Sequence, residues 1–207
     1  HYPFSLSGFV TPVSLAFNAA GDRLATGLGN TVHLFTASVE QIPSVRSLTY
    51  GDVASANLSL GIRELVAQLQ AGTAITLQAS NDISLIAPLV VLPEGAAGGS
   101  LTLQAGRSIL LNANINTGNG DLSLIANDLL ANGVRDDLRE AGAAVITMAA
   151  GTNINTGTGA LTIELRDGAG KTHSERGAVT LRQITAGSLS VNAGATVLAG
   201  TISTSLM

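Results

Sequence analysis

Cysteine and tryptophan are both absent from this sequence, and aromatic residues make up only 3% of it. Without cysteine the chain forms no disulfides and has no thiol chemistry, a composition that is compatible with secretion. Charge is also scarce, since charged residues make up 12% of the chain and the formal net charge is -4. With no basic run and no aromatic platform, the sequence gives no reason to expect binding to nucleic acid.

Long apolar runs are missing as well. The chain has no stretch of about 18 consecutive apolar residues, so no membrane span is predicted. Hydrophobic residues nevertheless make up 45% of the chain, and 24 residues are glycine. This composition is too apolar for a disordered chain. It is typical of small aliphatic side chains enclosed in narrow coils, with Thr, Ser and Asn on the outside.

One short pattern recurs along much of the chain. Residues 101–105 read Leu-Thr-Leu-Gln-Ala, and similar stretches begin at positions 75, 122, 146, 161, 179 and 189. Apolar residues alternate with Thr or Ser, which is the period of a β-strand with one buried face. The starts at 75, 101, 122 and 146 lie 26, 21 and 24 residues apart. This spacing is that of a solenoid coil, and we predict a right-handed parallel β-helix over residues 73–207.

The polar corners of the coils repeat too. Residues 114–120 read NINTGNG, and residues 153–159 read NINTGTG. Identical corners stack in a solenoid, so Asn side chains are expected to form ladders while Gly supplies positive φ angles. The alternation also predicts the inward-facing core positions, which are Leu77, Ile83, Leu85, Leu101, Leu103, Ile109, Leu111, Leu122, Leu124, Ile146, Met148, Leu161, Ile163, Leu181, Leu189 and Val191.

Residues 1–50 have a different pattern. Three alternating segments separated by Asn/Gly turns predict an antiparallel β-meander, which flanks or caps the coils. Residues 13–35 include SLAFNAAGDRLATGLGNTVHLF and resemble one blade of a WD-repeat propeller, with Phe35 where Trp usually stands. A propeller needs several blades, and no second copy follows.

Residues 51–72 form a linker and a predicted capping helix. Residues 58–71 place four apolar side chains on one face, with Ser59 as the N-cap and Gly72 just past the end. The apolar face is expected to pack over the first coil, and the alternative is a helix that binds a partner. Its members are Ile62, Leu65, Val66 and Leu69.

Three stretches interrupt the coils. Residues 88–100 predict a flexible loop, while residues 127–141 and 166–176 are rich in charge, and residues 134–141 are long enough for two helical turns. Insertions in solenoids protrude from one face, which is often the binding face, although they are also simply solvated loops in many proteins. The candidate partner-binding residues are Arg135, Asp136, Asp137, Arg139, Glu140, Arg166, Asp167, Lys171, His173, Glu175 and Arg176.

The coils resemble a known repeat family. The stretches AQLQAGTAITLQASNDISL and GSLTLQAGRSILLNANINTGNGDLSLIAND are similar to repeats of filamentous-haemagglutinin-like adhesins, which bacteria export by two-partner secretion. The resemblance covers about residues 62–202. It implies a right-handed β-helix, an extracellular or cell-surface location and a role in adhesion. Because the Asn-Pro-Asn-Gly element of the family's secretion domain is absent, it also implies a passenger segment.

No motif predicts a metal, a cofactor or a catalytic residue. Residues 168–172 read GAGKT, but Leu165 stands where a phosphate-binding loop needs Gly. The three histidines are far apart and have no ligand spacing. β-Helices also include polysaccharide-cleaving enzymes, so a carbohydrate-active enzyme that uses Asp136, Asp137 or Glu140 is the alternative reading.

The sequence therefore predicts a non-enzymatic stalk or display module of a secreted bacterial surface adhesin or filament-like protein. The expected partner is a protein or glycan receptor. The strand pair at residues 195–203 is followed by no charged or helical segment. An uncovered coil exposes unpaired strand edges, so we also expect end-to-end association through the terminal coils, or a continuation of the coils beyond residue 207.

Overall fold

The N-terminal strands form a small sheet of their own. The computed structural model describes residues 14–17, 23–28, 31–36, 47–51, 60–92 and 97–204, and the chain divides into two units, His1–Ser44 and Val45–Met207. In the first unit three strands pair antiparallel in sequence order, which confirms the predicted meander. These strands are β1 (Ser14–Phe17), β2 (Arg23–Leu28) and β3 (Thr31–Thr36).

The second unit contains three parallel sheets. The first sheet comprises β4 (Ser47–Leu48), β5 (Ile75–Ala79), β8 (Leu101–Ala105), β11 (Leu122–Ala126), β14 (Ala160–Leu165) and β17 (Ser188–Asn192). The second comprises β6 (Ile83–Leu85), β9 (Ile109–Leu111), β12 (Ala144–Met148), β15 (Arg176–Leu181) and β18 (Thr196–Leu198). The third comprises β7 (Leu89–Val90), β10 (Ile115–Asn116), β13 (Asn153–Asn155), β16 (Gln183–Ala186) and β19 (Ile202–Thr204).

The chain passes through the three sheets in turn. Strands β8, β9 and β10 belong to the first, second and third sheets, and β11 then returns to the first sheet beside β8. Every pairing in these sheets is parallel, so each coil stacks on the one before it, with one register shift where β12 pairs with β15. The predicted parallel β-helix is confirmed.

Alternation along the strands places the core as predicted. Most of the predicted inward residues are buried, and four are only partly buried while still packing against the core. These four lie in β6 and β17, which are edge strands of their sheets, so that stacking covers them on one side only. They are Ile83, Leu85, Leu189 and Val191.

Two of the repeated stretches occupy a different sheet from the one that the repeat suggests. The strands that begin near residues 146 and 179 belong to the second sheet, whereas the true copies of Leu101–Ala105 begin near residues 75, 122, 161 and 189. All three sheets have one face toward the core, so all three use the same alternating pattern. The prediction that these two stretches are copies of the first-sheet strand was wrong.

The polar corners do stack. Asn114 Oδ1 accepts a hydrogen bond from the Asn153 backbone N–H at 3.0 Å, and Asn119 Oδ1 accepts one from the Thr158 N–H at 3.1 Å. The amides thus bond to the backbone of the next coil. Gly118 and Gly157 have φ angles of 59° and 56°, as expected for these turns. The corner is shorter than predicted, because its Ile-Asn pair forms a strand of the third sheet and the Ile is buried.

The capping helix is present but shorter than predicted. Helix α1 spans Ile62–Gln70 and its N-cap is Gly61, so Ser59 is not the cap, and it lies outside the described residues. Gly72, with a φ of 77°, follows the C-terminal end as expected. Leu65 and Leu69 are buried, and the Gly99 N–H donates to the Leu69 carbonyl at 2.8 Å. The helix therefore packs against the first coil.

Two segments near the N-terminal end of the parallel sheets differ from the prediction. Strand β4 pairs with β5 although it precedes the helix, so the parallel sheets begin at Ser47 and not at residue 73. The predicted loop at residues 88–100 begins with strand β7, because Leu89 fills a core position of the third sheet. Residues 93–96 of that loop lie outside the described residues.

The last coil leaves core positions uncovered. Leu198 aligns with Leu181 but is 53% exposed where Leu181 is 1% exposed, and Ile202 aligns with Ile184 but is 39% exposed. The predicted strand pair at this end is thus confirmed, and the part of the chain that the structure describes has no coil above it. Within the same described ranges, α-helical structure is too short and too polar to cross a bilayer.

Candidate functional site

Both charged insertions leave the β-helix at the same corner. The first insertion, residues 127–143, joins β11 to β12, and the second insertion, residues 166–175, joins β14 to β15. Because β11 pairs with β14 and β12 with β15, the two insertions lie on adjacent coils, one above the other. One coil earlier the same corner is short, residues 106–108. Residues 134–141 form a single 3₁₀ turn, Asp136–Leu138, where two helical turns were predicted.

A buried carboxylate holds the base of the insertions. Asp128 is 0% exposed and accepts hydrogen bonds from the Tyr50 hydroxyl at 2.7 Å, Arg166 Nη1 at 2.5 Å and Asn132 Nδ2 at 2.7 Å. Burial by itself raises the pKa of Asp128, but the donors around it outweigh burial, and the net effect is a pKa below its usual range. Burial and this carboxylate together raise the pKa of Tyr50 well above its ordinary value.

A second buried contact joins the insertions to the coil below. Asn127 has a φ of 53°, and its Nδ2 donates to the carbonyls of Arg166 at 2.9 Å and Ser174 at 3.0 Å. Lys171 Nζ donates to Asn127 Oδ1 at 3.0 Å and to the Gly106 carbonyl at 2.5 Å. Lys171 is the single lysine of the sequence, and only 8% of it is exposed. Burial, reinforced by the neighbouring charge of Arg139, lowers its pKa to about 8.

We expect Lys171 to titrate near pH 8 in the folded protein and near 10.4 in the unfolded chain. The folded state then binds fewer protons between these two values. The free energy of unfolding should therefore rise with pH across this window, by about 3 kcal/mol relative to Lys171→Met. Because Lys171 is the single lysine, a sample with ¹³C-labelled lysine reports on this amine alone. Its chemical shift is followed against pH in buffer for the folded state and in urea for the unfolded state. Equal midpoints in the two states would contradict the buried position of this amine.

The outer contacts between the insertions are polar. Asp136 accepts hydrogen bonds from the Thr172 N–H at 2.9 Å and from its hydroxyl at 2.6 Å, which lowers the pKa of Asp136. Asp137 pairs with Arg135 at 3.0 Å in solvent. His173 Nδ1 lies 3.7 Å from Glu175. The two insertions therefore form one surface.

A third cluster ties the first insertion to the coils beneath it. Arg107 pairs with Asp82 at 2.7 Å and with Glu140 at 2.8 Å. Arg139 is 3% exposed, and its Nη atoms donate to the carbonyls of Glu140 and Gly142. Its buried Nε has no hydrogen-bond partner among the described residues. Burial and the nearby Arg107 lower the pKa of Arg139.

The predicted site residues thus separate into two groups. Arg139 and Lys171 are buried, and Arg166 is partly buried against Asp128, so their charged groups contact the chain itself. Asp136 and His173 are partly exposed. The exposed members are Arg135, Asp137, Glu140, Asp167, Glu175 and Arg176. Asp167 accepts from the Ala169 N–H, and Arg176 donates to the Leu165 carbonyl.

Sequence reasoning missed Asn127 and Asp128, which organise the site. The only signal was two polar residues directly after a buried strand, and many solvated loops begin in the same way. Tyr50 and Arg107 were missed because each lies far along the chain from its partner. The GAGKT stretch lies in the second insertion and leads into strand β15, whereas a phosphate-binding loop leads into a helix.

An open depression lies between the insertions. Its volume is about 650 Å³, and it is lined by Leu130, Val134, Arg135, Asp136, Asp137, Arg139, Thr172 and His173. The carboxylates in and beside it already have partners in Thr172, Arg135 and Arg107. Over the ranges that the structure describes, no three His, Asp or Glu side chains are grouped to hold a metal ion.

Comparison of the chain with protein-family models, with curated proteins and with solved structures gives no match.

Proposed function

We propose that this chain is a non-enzymatic display module of a secreted bacterial surface adhesin. The β-helix is the stalk, and the paired insertions carry the surface that contacts a protein or glycan receptor outside the cell. The observation that carries the proposal is the fixed position of the insertions. Asp128 binds residues from both insertions and from the segment before α1, and Asn127 and Lys171 add further buried hydrogen bonds.

Rigid attachment matters for a binding surface. A loop that is ordered before it binds does not lose conformational entropy on binding, so affinity is higher for the same contacts. Apart from residues 91–100 and the segment that carries α1, the other corners between strands of the β-helix are short, and the two insertions are the long segments that are rich in charge. Their exposed charges therefore form the natural contact surface of the module.

The contacts of the carboxylates favour display over catalysis. A glycosidase needs one carboxylic acid and one free carboxylate at a set separation. Asp136 is bound by Thr172, Asp137 by Arg135 and Glu140 by Arg107. A carbohydrate-active enzyme built on these residues remains the second candidate, because they border the depression.

The open last coil supports the expected end-to-end association. Leu198 and Ile202 occupy core positions but are largely or partly exposed. Strand edges and apolar side chains of this kind pair with another coil. At the other end of the β-helix α1 covers the core. The described contacts therefore favour association through the last coil.

The display function predicts adhesion that depends on the insertions. Beads that carry the purified chain should be retained on host cells or on immobilised glycans, and Arg135→Ala/Asp137→Ala should reduce retention about tenfold. Arg63→Ala/Glu64→Ala is the matched control, because it removes the same exposed charges from α1 and should leave retention unchanged.

Two results would contradict display. Equal retention of both double variants would show that the insertions are not the contact surface. Release of reducing ends from a polysaccharide, abolished in Asp136→Asn/Asp137→Asn, would establish the enzyme instead.

A further inference from the structure

The amine of Lys171 contacts a side-chain amide in the interior of the protein. Lys171 Nζ lies 3.0 Å from Asn127 Oδ1, and 8% of the lysine and 0% of the asparagine are exposed. The second acceptor of this amine is the Gly106 carbonyl at 2.5 Å. No ion pair among the described residues includes Lys171. The amine of the second insertion is therefore held against a carboxamide of the first insertion, and not in a salt bridge.

The carboxamide of Asn127 has one fixed orientation. Its Nδ2 donates to the carbonyls of Arg166 at 2.9 Å and Ser174 at 3.0 Å. Gly168 closes one face of the amide, since a Cβ at this position would lie 2.7 Å from Asn127 Oδ1 and 2.9 Å from its Cγ. Well-oriented groups that are fixed side by side react as if one of them were present at about 10⁵–10⁸ M. Lys171 thus has a preset target for attack.

Burial also makes the amine a better nucleophile. Only an uncharged lysine attacks a carbonyl carbon, and desolvation is one of the ways in which proteins produce it. Burial and the neighbouring charge of Arg139 lower the pKa of Lys171 to about 8, although Asp128, Asp136 and Asp167 act in the opposite direction. With this pKa about a tenth of the amines are uncharged at pH 7. The reactive form is therefore well populated near neutral pH.

We propose that Lys171 and Asn127 form an isopeptide bond, which joins the two insertions covalently. Lys171 Nζ bonds to Cγ of Asn127, the Cγ–Nδ2 bond breaks, and the nitrogen leaves as ammonia. One proton passes from Nζ to the departing nitrogen, so atoms and charge balance and no further reactant is needed. The buried carboxylate of Asp128 follows Asn127 directly and its charge acts on the amine, so Asp128 is the proton carrier.

The bond has two consequences for the module. Residues 127 and 171 are 44 positions apart and lie on adjacent coils, so the crosslink keeps the insertions together even when other contacts open. An amide nitrogen does not take up a proton in the range of a lysine amine. The titration of Lys171 near pH 8 therefore belongs to the chain before the reaction, and the lysine signal becomes independent of pH after it. This inference goes beyond the display function and does not depend on it.

Mass spectrometry of the folded wild-type chain tests the bond. The intact mass, followed over time at about pH 9, where the amine is mostly uncharged, should fall by one ammonia. Trypsin should then release a branched product of residues 108–135 and 167–176, because an acylated Lys171 is no longer a cleavage site. Lys171→Arg keeps the positive charge but has no such amine, and it should keep its full mass. The wild-type chain held in urea is the control for proximity and should also keep its full mass.

The other outcomes overturn the bond. It fails when the folded wild type keeps its full mass, or when the loss of ammonia persists in Lys171→Arg or in urea. Such a loss would come from cyclisation at Asn119 or Asn132, each of which precedes a glycine. If Lys171→Arg does not fold, the digest of the wild type decides alone, and absence of the branched product overturns the bond. Asp128→Asn should slow the reaction at least about tenfold, and an unchanged rate would remove Asp128 from it.

Discussion

Replacing Asp128 by alanine should lower the free energy of unfolding by about 3–5 kcal/mol, one of the largest effects of any single substitution in the chain. The side chain is fully buried, and its removal leaves Arg166, Tyr50 and Asn132 without their common acceptor. Tyr50 is buried, and a buried donor that loses its partner keeps the whole cost of desolvation. Urea unfolding followed by circular dichroism measures the change.

The matched control is Asp137→Ala. That carboxylate also pairs with an arginine, but both side chains are at least half exposed. Exposed pairs contribute about 0–1 kcal/mol, so this variant should unfold close to the wild type. Similar losses in both variants would mean that Asp128 does not hold the insertions.

The pH dependence supplies a second check on Asp128. Its pKa in the folded state is lowered, so its contribution is complete above the unfolded value of about 3.9 and is lost as pH falls through the folded value. The stability difference between the wild type and Asp128→Asn should therefore shrink below about pH 4. A difference that grows on acidification would contradict the hydrogen-bonded carboxylate.

Leu124→Ala should destabilise the protein by about 2–5 kcal/mol. Leu124 is 0% exposed and stacks between Leu103 and Ile163 in the first sheet, where coils on both sides prevent collapse of the cavity. Thermal and urea unfolding measure the loss. The effect should exceed that of the same change at Leu198, which has no coil above it in the described structure.

Ile125→Ala on the same strand is the control. Its side chain points to the other face of the sheet and is only partly buried. Its loss should cost less than about 1 kcal/mol, since little apolar surface is removed from the core. Equal effects at the two positions would mean that the inward and outward faces had been assigned incorrectly.

The sequence by itself determined the strands, most of the core and the stacked corners. Side chains alternate across a strand with a period of two, so Leu101 and Leu103 were assignable without any knowledge of neighbouring strands. The two corner motifs stack because nearly identical residues prefer the same turn. The apolar face of α1 was equally clear from its helical period.

Only the tertiary structure decided which sheet each strand joins and what the insertions do. Alternation marks an inward face but not the sheet, so the pattern grouped the stretches near residues 146 and 179 with Leu101–Ala105, although they belong to the second sheet. Charge density located the insertions, but burial of Arg139 and Lys171 depends on segments far away in the chain. Tyr50 reaches Asp128 across 78 residues, and no local pattern contains such a contact. Stacking of coils brings these groups together, and stacking is a property of the whole fold.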